Sequence, residues 1–415
     1  MYFHNTPTST TSSYSPHLAA LTVVLDTGSA DLVVDTKHRS LNVTNATAID
    51  ITVPINFGKG QFEAEIDIAE LKIGNFVINS QTFLNGAPAA EAADFGDADG
   101  ILGLGFNAAS NIQEALSQAL GEKAAVAMGN TPMPALFAQN ANTSHFFDVQ
   151  LGRASELEPT APGVFMIGSH DTAFQNVSNA PQLPSAAPNH WSPVLDAMNV
   201  NGKAFAFNTS RIAGVPTGKV VAALDTGTSL SPLPAPAVDA IYSTIPGAEF
   251  DDVSTNWFVP CNGSTTLSFI FGNQEFFVHP LDLTFPMVTT VDGANRTACV
   301  NAYQYSTIDF GDNTGFDLVL GDAFLRNVYV SFNYGDAQNS SAQPFVQMVS
   351  TTPDMATALQ EFQTQRAATL AQLPPTVEPS AIVKHNTKNG AWRCSSSDAA
   401  MMTLAVAMLS LPFLL

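Results

Sequence analysis

The chain has 415 residues, of which 45% are hydrophobic and 12% are charged. This length and apolar content are enough to bury two cores, so we expect two domains. The 36 acidic and 15 basic residues give a net charge of -21, which argues against nucleic acid or an anionic membrane surface as a partner. The charge fits a soluble acidic protein or one adapted to acid.

Residues 1–19 are rich in Ser, Thr, Pro and His and lack the apolar core of a signal peptide. We interpret them as a disordered or incomplete N-terminus, on the hypothesis that an upstream segment is missing from this chain. The alternative is a genuine form of the protein that is not secreted.

A short motif follows the first predicted strand. The apolar run from Leu21 to Leu25 ends in Asp26-Thr27-Gly28-Ser29, and a second apolar run follows. The pattern predicts a strand, a tight glycine turn with Asp26 at its tip, and another strand. By itself, one Asp-Thr-Gly triplet is ordinary turn chemistry.

Residues 49–68 carry the pattern of a β-hairpin. Apolar residues alternate on both sides of a turn at Gly58-Lys59-Gly60, which predicts two half-buried strands. The alternating residues are Ile51, Val53, Ile55 and Phe57 before the turn and Phe62, Ala64, Ile66 and Ile68 after it.

The segment that follows is of mixed character. Residues 106–140 have apolar residues at helical spacing, which predicts a short surface helix. Residues 163–168 read as a buried strand, and the Pro-, Ser- and Ala-rich run 180–189 reads as the crossover into a second domain. The helical spacing rests on Ile112, Ala115, Leu116 and Ala119.

The Asp-Thr-Gly motif returns near the middle of the chain. The apolar run from Val220 to Leu224 ends in Asp225-Thr226-Gly227-Thr228, 199 residues after the first copy. Two copies, each between apolar runs and each followed by a hydroxyl residue, are far harder to obtain by chance than one. Short strands bounded by Gly, Asn and Pro continue to about Met348, so the predicted class is all-β with minor helices.

The character changes after residue 350. The segment from Pro353 to Gln372 predicts a helix that ends before Pro374-Pro375, either as a stalk or packed on the second domain. Its expected apolar side consists of Met355, Leu359, Phe362 and Leu370. Residues 374–391 are predicted to form a polar linker.

The last seventeen residues, Ala399 to Leu415, are mostly apolar and carry no charge. They are short for a transmembrane anchor, and as a core strand or helix they lie beyond any domain and have no partner. They fit a glycosylphosphatidylinositol signal cleaved at Asn389, with a spacer from Trp392 to Ala400. Ser395 to Ser397 offer a competing cleavage site.

The two Asp-Thr-Gly turns resemble the catalytic loops of the pepsin-like aspartic endopeptidases, a family in which each of two lobes contributes one loop. Two further runs match, DGILGLG at 99–105 and LVLGD at 318–322, and in the family such strands thread beside the catalytic loops. The four motifs occur in the family's order. The C-terminal signal is similar to that of the yapsin-like surface proteases of fungi.

The resemblance implies an all-β bilobal fold with the active-site cleft between the lobes. The expected parts are the N-terminal segment 1–19, an N-terminal lobe at 20–180, a C-terminal lobe at 181–350, a helix and linker at 351–391, and a signal at 392–415 that is removed on lipid anchoring.

The resemblance also implies that Asp26 and Asp225 share one proton and activate a water between them. The threonines of the two motifs would bond across the interface, the following hydroxyls would bond the outer carboxylate oxygens, and the glycines would let backbone amides approach. These supporting residues are Thr27, Gly28 and Ser29 in the first loop and Thr226, Gly227 and Thr228 in the second. No cofactor or metal is implied, and the histidines form no ligand-like cluster.

The hairpin at 49–68 aligns with the family's flap, the lid that closes over the substrate. Its tip comprises Phe57, Gly58 and Gly60, where most relatives have a tyrosine at the position of Phe57. Val33 stands where relatives usually have a tryptophan that bonds this tyrosine. We therefore expect a less ordered flap and a lower kcat.

The chain has three cysteines, too few for a fold built on disulfides. The resemblance pairs Cys261 with Cys299 and leaves Cys394 over. Eight Asn-x-Ser/Thr sequons together with this disulfide favour the secretory route, so the expected location is secreted or at the cell surface. The sequons begin at Asn42, Asn45, Asn142, Asn176, Asn208, Asn262, Asn295 and Asn339.

The leading hypothesis is a monomeric aspartic endopeptidase that cleaves proteins or peptides at acid pH, between bulky apolar residues. Family members also carry an opening strand before the first catalytic loop, and none is recognisable in this sequence. Together with Val33 and Phe57, this favours a second hypothesis, a weak or inactive relative that binds peptide at the cell surface. A third is an anchored glycoprotein with a structural role, which predicts that Asp26 and Asp225 tolerate substitution.

Overall fold

The structure is a computed structural model that describes residues 20–36, 43, 46–57, 60–86, 98–153, 155–157, 161–306, 314–335, 343–389 and 411–414. Strands greatly outnumber helices among these residues, which confirms the predicted all-β class. None of the described helices combines the length and the apolar character needed to cross a bilayer.

The first sheet is built mostly from the first hundred residues. Its strands follow the order β1-β6-β2-β5-β4-β3, with β1 and β6 parallel and β3 and β4 forming an antiparallel hairpin. Val53, Ile55, Ala64 and Ile66 of the hairpin are buried, as their alternation predicts. The strands are β1 (Ala20–Asp26), β2 (Leu32–Val34), β3 (Thr47–Phe57), β4 (Gly60–Ile73), β5 (Phe76–Asn85) and β6 (Gly100–Gly103).

The segment 106–140 contains three helices where the sequence predicts one. Ser110 caps the first by accepting a hydrogen bond from the amide of Gln113. Gly121, whose φ of 89° disfavours other residues, separates the first helix from the second. The helices are α1 (Asn111–Leu120), α2 (Glu122–Met128) and α3 (Pro132–Gln139).

Short strands account for most of the regular secondary structure that the structure describes between residues 146 and 350. The strands are β7 (Phe146–Gln150), β8 (Val164–Ile167), β9 (Leu183–Pro184), β10 (Val194–Leu195), β11 (Ala197–Val200), β12 (Lys203–Phe205), β13 (Val220–Leu224), β14 (Ser231–Leu233), β15 (Glu249–Asp251), β16 (Asn256–Val259), β17 (Leu267–Phe271), β18 (Gln274–Phe277), β19 (Thr284–Val291), β20 (Ala294–Asn301), β21 (Tyr303–Tyr305), β22 (Leu318–Leu320), β23 (Val328–Asn333) and β24 (Phe345–Ser350). Two helices lie among them, α4 (Ala235–Tyr242) and α5 (Asp322–Leu325).

Two features of these strands position the second Asp-Thr-Gly turn. Strand β13 pairs in parallel with β22, which repeats the parallel pairing of β1 with β6 in the first half. A five-stranded sheet in the order β8-β7-β23-β24-β9 joins segments from both halves of the chain. The second half therefore presents its Asp-Thr-Gly turn in the same strand arrangement as the first.

A buried aromatic cluster packs the two halves together. Trp191 is 1% exposed, and its indole Nε1 donates to the carbonyl of Leu104. Phe147 and Phe332 stack with ring centroids 4.9 Å apart, and both contact Trp191 edge-on. Since Leu104 follows β6 directly, this cluster lies next to the first catalytic turn.

Two helices follow the last strand of the second half, α6 (Met355–Leu370) and α7 (Pro379–Asn389). Helix α6 packs on the second half, which is one of the two arrangements that the sequence allows. The predicted apolar side of α6 is wrong in part, because Leu359 is 41% exposed. The other helix, α7, occupies most of the segment 374–391 that was predicted as a linker. The buried residues of α6 are Ala358, Phe362, Arg366 and Thr369.

The final strand, β25 (Leu411–Leu414), pairs antiparallel with β1 and reaches β4. The expectation that the tail has no partner as a core strand is wrong, because the edge of β1 pairs with it. Cys261 and Cys299 form a disulfide, the pairing that the family resemblance implies. Residues 390–410, including Cys394 and the proposed signal spacer, lie outside the described residues.

Candidate active site

The two aspartates occupy equivalent places in the two halves. Asp26 is the last residue of β1, and its carbonyl accepts a hydrogen bond from the amide of Leu104. Asp225 follows β13 directly, and its amide donates to the carbonyl of Leu320. Strands β6 and β22 thus run beside the two turns, so both motifs that sequence matching placed there lie where the resemblance implies.

Each aspartate accepts the same pair of hydrogen bonds from its own turn. In the first turn, the amide of Gly28 donates to Oδ1 of Asp26 at 2.8 Å and the Ser29 hydroxyl donates to Oδ2 at 2.5 Å. In the second, the amide of Gly227 donates to Oδ1 of Asp225 at 2.8 Å and the Thr228 hydroxyl donates to Oδ2 at 2.6 Å. These donors fix the orientation of both carboxyl groups.

The threonines tie the two turns to each other. The Thr27 hydroxyl donates to the carbonyl of Leu224 at 2.7 Å, and the Thr226 hydroxyl donates to the carbonyl of Leu25 at 2.6 Å. Each hydroxyl also accepts the amide of the opposite threonine, at 3.0 and 3.1 Å. Both threonines are buried, so these four bonds hold the turns together in a dry environment.

The two carboxyl groups face each other across the pair of turns. A Cβ added at Gly28 would lie 2.5 Å from Cγ of Asp225, and one added at Gly227 would collide with the carboxyl of Asp26. Glycine is therefore required at both positions by the approach of the opposite aspartate. The structure brings together all eight residues that the sequence predicts for the two loops.

The two aspartates differ in environment. Asp26 is 8% exposed, whereas Asp225 is half-buried. Burial and then the negative charge of Asp225 raise the pKa of Asp26 to about 7, against the opposing hydrogen bonds from Ser29 and Gly28. Asp26 is thus the carboxyl that keeps a proton through the acid range.

A second buried carboxyl lies behind the C-terminal turn. Asp322 begins α5, and its amide donates to the carbonyl of Thr228. Burial raises the pKa of Asp322 to about 8, while the nearby guanidinium of Arg326 opposes this shift. Among the described residues, neither carboxyl oxygen of Asp322 has a hydrogen-bond partner.

These raised pKa values predict how stability depends on pH. A carboxyl whose pKa is higher in the folded state than its usual 3.8 stabilises the fold fully below that value, and the contribution disappears as pH rises through the folded-state pKa. For Asp26 and Asp322 the window runs from about pH 4 to pH 7 and pH 8 respectively. The free energy of unfolding should fall by several kcal/mol as the pH rises through these two windows, since one pKa unit corresponds to about 1.4 kcal/mol.

Urea unfolding at pH 4, 6 and 8 measures this dependence. The variant Asp322→Asn is the matched control, because a neutral amide of the same shape should flatten the fall above pH 6. Equal stability at pH 4 and pH 8 would contradict the prediction.

One residue that supports the first turn was not predicted from the sequence. Asp31 is buried and accepts hydrogen bonds from the Ser110 hydroxyl at 2.5 Å and the Asn111 amide at 2.7 Å. It therefore ties the segment after the catalytic turn to the beginning of α1. The sequence offered no local signal, because Asp31 and its partners are about 80 residues apart.

The flap hairpin is present as β3 and β4, which pair up to Phe57 and Gly60. Gly58 and the side chain of Phe57 lie outside the described part of the chain, so the prediction for the flap tip stays a prediction. Val33 is 2% exposed and packs with both hairpin strands and with α1. Its neighbours in this cluster are Val53, Ile55, Ala64, Ile66, Leu84, Ala98, Ile112, Leu116 and Ala125.

Because Val33 fills a closed apolar space, the family's tryptophan does not fit there without rearrangement. We expect Val33→Trp to lower the free energy of unfolding by about 1–3 kcal/mol through overpacking, measured by urea denaturation. Val33→Ile, which adds one methyl group, is the matched control and should cost less. A tryptophan variant as stable as the wild type would show that the hairpin has room for an indole.

Among the residues that the structure describes, no three His, Cys, Asp or Glu side chains are grouped to hold a metal ion. The polar groups that the site does offer are the two carboxyls and the amides and hydroxyls that donate to them. Facing carboxyls of which one is protonated supply a general base and a general acid at one place.

A mostly β fold that brings two Asp-Thr-Gly turns face to face is the architecture of the pepsin-like aspartic peptidases. The sequence model of the family described as "Eukaryotic aspartyl protease" matches residues 17–344. The chain belongs to this family.

Curated fungal relatives agree with this assignment. The chain is 25% identical to Major aspartyl peptidase 1 of Cryptococcus neoformans var. grubii, with 76% of this chain and 64% of the relative aligned. It is 25% identical to the aspartic-type endopeptidase ctsD of Aspergillus fumigatus, over 83% of this chain and 67% of the relative. Syncephapepsin of Syncephalastrum racemosum is 26% identical, over 75% of this chain and 70% of the relative. The chain thus spans about two thirds of the length of these relatives.

Proposed function

We propose that this protein is an aspartic endopeptidase that hydrolyses peptide bonds through a water held between Asp26 and Asp225. The observation that carries the proposal is the mutual approach of the two carboxyls, each oriented by one amide and one hydroxyl. The proposed lobes are residues 20–180 and 181–350, with the substrate cleft between them.

Each carboxyl has one task in this mechanism. Asp225 is the ionised group and takes a proton from the water as it attacks the scissile carbonyl carbon. Asp26 is the protonated group and donates to the carbonyl oxygen, which gives a neutral gem-diol. In the collapse of the gem-diol, Asp225 gives the proton that it took from the water to the departing nitrogen, and Asp26 takes a proton from a gem-diol hydroxyl as the C–N bond breaks. The dyad returns to a state with one proton.

The pH range follows from this assignment. Asp26 acts as an acid only while it holds its proton, so its pKa of about 7 supports a loss of activity near neutrality. We propose that the enzyme works in acid and prefers bulky apolar residues around the scissile bond, as the family resemblance implies. The oriented dyad favours catalysis over a role in peptide binding alone.

Proteolysis of a denatured protein at pH 4 and pH 8, with and without pepstatin, tests the proposal. We expect new fragments at pH 4 that pepstatin abolishes, and at pH 8 about a tenth or less of that cleavage, because Asp26 is then mostly ionised. Binding of pepstatin without any cleavage would instead favour the inactive peptide-binding relative.

We further propose that the protein is secreted and anchored by a glycosylphosphatidylinositol lipid at Asn389, the last residue of α7. Sequon exposure supports the secretory route, because glycosylation needs accessible asparagines. All five sequon asparagines in the described residues are exposed: Asn142, Asn176, Asn208, Asn262 and Asn295. Release of the protein from intact cells by phosphatidylinositol-specific phospholipase C would support the anchor.

A further inference from the structure

A histidine lies across the sheet from one of the two aspartates. Strand β10 pairs antiparallel with β13, with Val194 opposite Val221. The register continues toward the site, since the Leu224 amide donates to the Trp191 carbonyl at 2.9 Å. One residue further along, the same register sets His190 opposite Asp225. Opposite residues of an antiparallel pair point to one face, with Cβ atoms about 4.5–5.5 Å apart.

The surroundings of His190 hold it at this place. The next residue, Trp191, is buried and bonded through its indole to Leu104. The His190 ring meets the ring of Phe316 edge-on, with centroids 5.1 Å apart and planes at 88°. The backbone at His190 is therefore held by its buried neighbour Trp191, and its half-buried imidazole packs against the Phe316 ring, which limits its freedom to turn away from the dyad.

The charge environment of His190 is simple. Burial lowers its pKa, and the negative charge of Asp225 opposes that shift. Within the described part of the chain, Asp225 is the charged group that acts on it. The interaction is reciprocal, so a protonated His190 stabilises the carboxylate form of Asp225.

We propose that His190 is a positioning residue that, when protonated, keeps Asp225 as the carboxylate of the dyad and leaves the shared proton on Asp26. This inference rests on the proposed function and deepens it. The hydrogen bonds from the two turns are equivalent and do not distinguish the aspartates, so His190 adds to the asymmetry that the deeper burial of Asp26 creates. The imidazolium resists protonation of Asp225 and so extends activity toward lower pH.

The pH profile of kcat and KM on a peptide substrate tests the inference. In His190→Phe, which keeps an aromatic ring against Phe316 but cannot carry charge, the acid limb of kcat should move up by about 0.5–1 pH unit. Well below the midpoint of the acid limb this shift is a loss of about three- to tenfold in kcat, with KM little changed. The alkaline limb should not move.

The matched control is His385→Gln, which removes a histidine of α7 that contacts Asp292 and should leave the profile unchanged. Superimposable acid limbs for wild type and His190→Phe would overturn the inference.

A second measurement does not depend on activity. The NMR titration of the His190 ring should have a lower midpoint in Asp225→Asn than in the wild type, because the variant removes the carboxylate that favours the imidazolium. An unchanged midpoint overturns the inference whatever the activity. A wild type that cleaves no peptide at any pH overturns the proposed function, and the titration still decides whether His190 and Asp225 are coupled.

Discussion

Replacing either Asp26 or Asp225 with Asn is expected to lower kcat by about 10²–10⁴-fold, with little change in KM. Asn has nearly the same shape, and its carbonyl can still accept the amide of Gly28 or Gly227 that the aspartate accepts. It can neither take a proton from the water nor give one to the substrate carbonyl. Steady-state kinetics on a peptide at pH 4 measure the effect, with circular dichroism to establish that each variant is folded.

Asp252→Asn makes the same chemical change at an exposed residue and is expected to behave as the wild type. If either dyad variant keeps more than about a tenth of the wild-type kcat, a water shared by the two carboxyls is not the nucleophile. Full tolerance of both substitutions would favour the third hypothesis, in which the protein has a structural role at the cell surface.

The two Asp-Thr-Gly turns could be located from the sequence because the signal for each turn is local. A strand, a glycine turn and a hydroxyl residue three positions after the aspartate determine where the carboxyl of Asp26 points, and the same rule holds for Asp225. The two hairpin strands could also be predicted from the sequence. Their apolar residues alternate, which indicates the buried side, and the structure buries Val53, Ile55, Ala64 and Ile66.

Contacts between distant segments were not predictable in the same way. His190 was not singled out because its importance depends on a strand register that only the folded chain sets. The buried side of helix α6 was predicted incorrectly for the same reason. Its apolar residue Leu359 was expected to be buried but is exposed, whereas the charged Arg366 is only 2% exposed. A buried arginine is unusual, and nothing near it in sequence signals its partners. The segment of α7 read as a linker because its residues are mostly polar.

Those partners make Arg366 the residue through which α6 holds both halves of the chain. Its Nε donates to both carboxylate oxygens of Glu156, at 2.8 and 2.9 Å. Its Nη1 donates to the carbonyl of Cys261, and its Nη2 to the carbonyl of Thr284. The guanidinium also lies 5.0 Å from the ring centroid of Phe362. One side chain thus connects the segment between β7 and β8 with the disulfide region.

We therefore expect Arg366→Met to lower the free energy of unfolding by about 3–5 kcal/mol, since it leaves Glu156 as an unpaired, mostly buried charge. Urea denaturation at pH 6 measures this loss, and the double variant with Glu156→Gln should recover part of it because the stranded charge is removed. Leu359→Ala, on the exposed side of the same helix, should change stability by no more than about 0.5 kcal/mol. A loss below about 1 kcal/mol in Arg366→Met would mean that the pair behaves as a surface salt bridge and that α6 is held by its apolar contacts alone.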